Sequence, residues 1–100
     1  MAYQNNIASR IINSVNITSA GTSAQSSSAP FGATIARIAT SANVNIVIGP
    51  NPTATAAGTL VQASDASYFV IKPASTVGGT DGEKVASIGT ATVNVTFLEG

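Results

Sequence analysis

The feature that most limits the folds open to this chain is the shape of its apolar side chains. Isoleucine and valine together number 19, against three leucines and methionines, and twelve threonines add to the β-branched total. Such side chains lose χ1 freedom in a helix and pack well on a pleated surface, so the chain favours sheet over helix. Seventeen alanines pull the other way, but most stand beside Ser, Thr or Gly in short broken runs and not at helical spacing. An all-β fold is expected.

Alternation locates the strands. From Asn43 to Gly49, Val44, Ile46 and Ile48 share one face while Asn43, Asn45 and Val47 share the other, the period of two that a half-buried strand requires. Thr92 to Leu98 repeats the pattern, with Val93, Val95 and Phe97 opposed to Thr92, Asn94 and Thr96. Tyr68 to Lys72 sets Phe69 and Ile71 against Tyr68, Val70 and Lys72, and Pro73, which cannot donate to a ladder, marks its end. Thr34 to Thr40 and Lys84 to Ile88 are strands of imperfect alternation. Val85 and Ile88 have opposite parity, which calls for two covered faces or a bulge near Gly89. Thr59 to Ala63 is a short strand.

Near the N-terminus, Ile7, Ile11, Ile12 and Val15 fit a helical stripe as well as Ile11, Val15 and Ile17 fit one face of a strand; β-branching favours a strand from Ile11 to Thr18. The Ser-rich stretch Gly21 to Ala29 reads as a loop or edge connection, and Thr40 to Asn43, Asp81–Gly82 and Gly89 to Ala91 read as turns. One hundred residues make one domain. The expectation is a compact β-sandwich or jelly-roll-like barrel of about seven short strands over 11–100, preceded by an extended N-terminal arm over 1–10.

Composition removes most chemistries. Arg10, Arg37, Lys72 and Lys84 balance Asp65, Asp81, Glu83 and Glu99, so the net charge is zero and the long-range field used by nucleic-acid and anionic-membrane binders is missing. With no cysteine and no histidine there is no thiol nucleophile, no Cys/His zinc site and no base titrating near neutrality. No Gly-x-Ser-x-Gly elbow or Ser-x-x-Lys pair occurs, and Asp81 with Glu83 lacks the pattern of a calcium loop. The chain is therefore expected to have no catalytic, metal-ligating or cofactor-binding residues and not to be an enzyme. No run approaches the ~18 apolar residues of a membrane span, and MAYQNNIASR lacks the plan of a signal peptide, so a soluble protein made in a cytoplasm is expected, with neither membrane nor nucleic acid as partner.

Several residues carry a structural and a functional reading side by side. Gly78–Gly79 with Asp81–Gly82 lacks the Lys-Ser/Thr of a phosphate loop and predicts a mobile hairpin tip that can touch a neighbour. Arg37 is either a fork for a carboxylate such as Glu99 or Asp65, or an exposed strand arginine. Asn16-Ile17-Thr18 and Asn94-Val95-Thr96 match the glycosylation acceptor, yet both fall in alternating strands where Asn and Thr form the polar face. Phe69 and Phe97 are expected in the core, while Tyr3 or Tyr68 could serve as a platform if the chain were a carbohydrate- or host-binding module.

The run Thr18-Ser19-Ala20-Gly21-Thr22-Ser23-Ala24-Gln25-Ser26, then Arg37 to Ser41, then Ile46-Val47-Ile48-Gly49-Pro50-Asn51-Pro52-Thr53-Ala54-Thr55 resembles small virion proteins of tailed bacteriophages. Tyr68 to Lys72, Lys84 to Ile88 and Val93 to Thr96 continue it in order, so that the resemblance spans roughly Ile17 to Leu98. It implies a compact β-protein carried on the capsid as decoration or cement, located in the virion after synthesis in the host bacterial cytoplasm. The implied partner is the major capsid protein. Self-association as a homotrimer is expected because capsid lattices present local three-fold sites, and Met1 to Ile11 could clasp a neighbouring subunit. A head-to-tail or tail component is the alternative within the same class.

Overall fold

A computed structural model describes residues 10–99 of the chain. They form eight strands: β1 (Arg10–Ala20), β2 (Ala24–Gln25), β3 (Ile35–Thr40), β4 (Val44–Gly49), β5 (Thr59–Val61), β6 (Ser67–Val70), β7 (Lys84–Ile88) and β8 (Thr90–Glu99). They make two four-stranded sheets, ordered β1-β8-β3-β6 and β2-β7-β4-β5, with every ladder antiparallel.

The ladders follow one rule. β1 pairs with β8, β2 with β7, β3 with β6 and β4 with β5, as along one long hairpin whose tip is the connection from β4 to β5. That ribbon passes from sheet to sheet three times, and the ladders β3 to β8 and β4 to β7 join its turns side by side. No ladder connects the two sheets among the described residues, so they do not close into the barrel that was one form of the expectation.

Alternation fixes which side of each strand is buried. Ile17, Ile38, Val93, Val95 and Phe97 of the first sheet and Val44, Ile46, Val61 and Val85 of the second belong to one buried cluster. Burying each such side chain contributes about 1.5–3 kcal/mol. Phe69 and Ile12 pack against this cluster while remaining half-buried.

All seven expected strands are present. The eighth, β2, lies inside the Ser-rich stretch, which acts as an edge: Ala24 and Gln25 stand opposite Ser87 and Ala86. Ser26 prolongs the contact, its N–H donating to the Val85 carbonyl at 2.7 Å and its Oγ accepting from the Val85 N–H at 3.0 Å.

Three expectations need correction or completion. Ile11 does not share a face with Val15 and Ile17, because a β-bulge between Ile11 and Asn13 inserts Ile12 and reverses the parity. Ile12 therefore meets the core and Ile11 points outward, 65% exposed. For β7 the two-covered-faces alternative holds: its ladder with β4 runs unbroken, Val85 and Ser87 face inward, and Ala86 is buried on the other side between Gln25 and Val47. Asp81–Gly82 is not a free tip, since Gly82 is buried where a Cβ would run into the Ala29 carbonyl oxygen. The tight turn falls earlier, with the Gly79 N–H donating to the Thr76 carbonyl at 2.9 Å. Of the expected arm, Arg10 opens β1 opposite Glu99, and positions 1–9 lie outside the described residues.

Candidate functional site

The groups able to carry chemistry are dispersed. Arg37, on the outward side of β3, stands between Thr96 of β8 and Tyr68 of β6, while Glu99 lies across from Arg10 at the end of the sheet. Tyr68 is 62% exposed on the same outward face; Tyr3 lies outside the described residues. Among the described residues, no three acidic side chains gather as a metal site would require.

Asp81 has a structural task. Its Oδ2 accepts from the Ser75 hydroxyl at 2.6 Å and its Oδ1 from the Ser75 N–H at 3.1 Å. These two bonds favour the carboxylate and hold the Asp81 pKa below its ordinary value. Glu83 reaches the preceding segment, its Oε1 accepting from the Lys72 N–H at 2.9 Å. Asp81 and Glu83 thus tie the segment 72–83 to itself.

Two concave regions stand out among the described residues. The β4–β5 ladder ends at the pair Ile46 and Thr59, and a cleft of about 360 Å³ lies beside it, lined by Ile46, Ile48, Thr59 and Phe69 among others. It contains no titratable side chain. A second hollow of about 270 Å³ lies at the start of β1, bordered by Ile11, Ile12, Phe31, Gly32 and Glu99.

That second hollow adjoins the most unusual surface of the molecule, the outward face of the sheet β1-β8-β3-β6. The central strands carry a polar ladder there. Asn94 Nδ2 donates to Ser14 Oγ at 2.9 Å and to Asn16 Oδ1 at 3.0 Å, and Thr96 Oγ1 donates to Asn94 Oδ1 at 2.9 Å. Asn16, Asn94 and Thr96 of the two glycosylation-like tripeptides are therefore engaged with one another. Toward the hollow the character changes abruptly: Ile11 stands opposite Leu98, Leu98 opposite Ile35, and Ile35 opposite Val70.

This apolar row crosses all four strands on the side away from the core. Leu98 is covered by its neighbours and is 7% exposed, yet the row's ends are open, Ile11 at 65% and Val70 at 86%. Phe31, 51% exposed, borders the row through the hollow. Sequence reasoning recovered the core face and missed this row. The available signal was one apolar residue of outward parity near the same end of each strand, obvious for Val70 and Leu98 but masked by the bulge for Ile11.

Taken together, the candidate site is a surface on which a hydrogen-bonded polar ladder lies next to an apolar row that is open at both ends. Comparisons with protein-family models, curated proteins and solved structures give no match for this chain.

Proposed function

We propose that this chain is a structural virion protein that binds the outside of a bacteriophage capsid and stabilises it, and that it catalyses no reaction. The observation carrying the proposal is the apolar row Ile11, Leu98, Ile35 and Val70, whose two ends are exposed, since apolar surface left open to solvent marks a site of contact. The particle itself comes from the resemblance of Ile17 to Leu98 to small phage virion proteins. The ribbon-like pairing of eight strands into two four-stranded sheets supports a jelly roll, an architecture used by viral capsid domains among others.

Attachment stabilises both partners. Whatever binds only the folded domain shifts its folding equilibrium by mass action, and the same contact energy cements the shell beneath it. The major capsid protein is the partner in this reading.

Co-sedimentation with purified capsids tests it. Val70→Lys places a charge at the most exposed point of the row, so the variant should keep the wild-type melting profile and lose most of its capsid binding. Wild-type protein that stays in the supernatant would overturn the proposal. Exposure of Tyr68 favours a second reading, a carbohydrate-binding module, for which binding on a glycan array should disappear with Tyr68→Ala. Electron microscopy of labelled particles separates capsid decoration from a head-to-tail or tail position.

A further inference from the structure

A β-sheet edge exposes unpaired N–H and C=O groups, and folded proteins blunt such edges with short strands, charge, proline or bulges. Among the described residues the two sheets have four edges, and three are blunted. β2 has two residues and β5 three; β6 has four and runs within three residues into Lys72 and Pro73. The fourth is β1, eleven residues long, paired on one side with β8. After Arg10 it contains no charge and no proline, and its bulge at Ile12 leaves Asn13 to Ala20 in unbroken register with β8.

The residues of β1 also suit a particular partner. In an antiparallel pair, inward residues must meet inward residues, or apolar side chains are driven to the wrong face. Val15 and Ile17 face the core; Ser14, Asn16 and Thr18 face outward. Pairing β1 with a second β1 about a two-fold axis through Asn16 sets Val15 against Ile17 twice, Ser14 against Thr18 twice and Asn16 against Asn16. Centring on Val15 would set Ile17 against Asn13, and centring on Ile17 would set Val15 against Ser19. Only the Asn16 centre matches apolar with apolar and polar with polar across the whole stretch 13–19, the kind of cross-strand pairing that stabilises sheets.

We propose that two copies of this chain associate through their β1 strands, antiparallel about Asn16, joining their first sheets into one eight-stranded sheet. The contact is isologous and closes at two subunits. It also extends the ladder Asn94 to Asn16 across the axis to the second copy's Asn16. This two-fold contact differs from the three-fold association expected from the sequence, and it is independent of the capsid reading.

Sedimentation of the full chain, with charge variants at the axis, tests it. Wild-type protein should have the mass of two chains. Asn16→Asp and Asn16→Lys each place like charges opposite one another, so each variant alone should have the mass of one chain, with the circular dichroism of the wild type. An equimolar mixture of the two should regain the mass of two chains. A monomeric or trimeric wild type would overturn the proposal, as would variants that keep the two-chain mass, or a mixture that stays monomeric.

Discussion

The Gly21 N–H donates to the Gly89 carbonyl at 3.0 Å, and both residues have positive φ, 86° and 140°. They form the corner where β1 hands over to β2 and β7 to β8, between the pairs Ala20 with Thr90 and Ala24 with Ser87. The two-stranded ribbon thus keeps a backbone hydrogen bond at the point where it changes sheet, in line with the cost of unpaired backbone groups. The two glycines differ in their surroundings. A Cβ on Gly89 would lie 3.0 Å from Val44 Cγ1 and 3.2 Å from the Asn43 carbonyl oxygen, while one on Gly21 would meet nothing within 4 Å.

Gly89→Ala should therefore cost about 2–3 kcal/mol, backbone strain and crowding acting together, and Gly21→Ala about 1 kcal/mol from strain alone. Urea midpoints of the two variants check this order. Equal losses would show that crowding against Val44 contributes nothing.

Phe97, fully buried on β8, and Val70, 86% exposed on β6, belong to opposite sides of one sheet. Phe97→Ala should destabilise by about 3–5 kcal/mol through lost burial and the cavity left behind. Val70→Ala should change stability by less than about 0.5 kcal/mol. Thermal melts read both.

Ser87 is wholly buried, and its Oγ has no hydrogen-bond partner, although its carbonyl accepts from Ser19 Oγ at 3.4 Å. A buried hydroxyl without a partner carries its desolvation cost uncompensated. Ser87→Ala should raise stability by about 1 kcal/mol, seen as a higher urea midpoint. A lower midpoint would reveal a partner for the hydroxyl.

Asp81 supplies a pH dependence of known sign. Its folded pKa lies below the ordinary 3.8 because the Ser75 hydroxyl and N–H bond the carboxylate. Its contribution is complete above the ordinary value and disappears as pH falls through the folded one. The Asp81 carboxyl carbon, followed by NMR, should titrate below 3.8 in the wild type and closer to it in Ser75→Ala. An unchanged titration would assign the shift to another group.

The strands were legible in the sequence because β-branched alternation is a local property: Val44, Ile46, Val93, Val95 and Phe97 reveal their buried side by spacing alone. The Ser-rich stretch was harder. Ala24 and Gln25 have no alternation to display, and they become a strand only because β7 is there to receive their hydrogen bonds. The Asp81–Gly82 pair misled for the same reason. Its turn-like composition says nothing of the Ala29 carbonyl that packs against Gly82.

By itself, then, the sequence determined the all-β character, the parity of the regular strands and the absence of cysteine and histidine, all of which follow from residue type and near neighbours. Tertiary structure decided which strands meet, the reversal of Ile11 by a bulge, and the gathering of Ile11, Leu98, Ile35 and Val70 into one row. Those four come from strands far apart in the chain. Their adjacency depends on ladder register, a long-range property that no local pattern encodes.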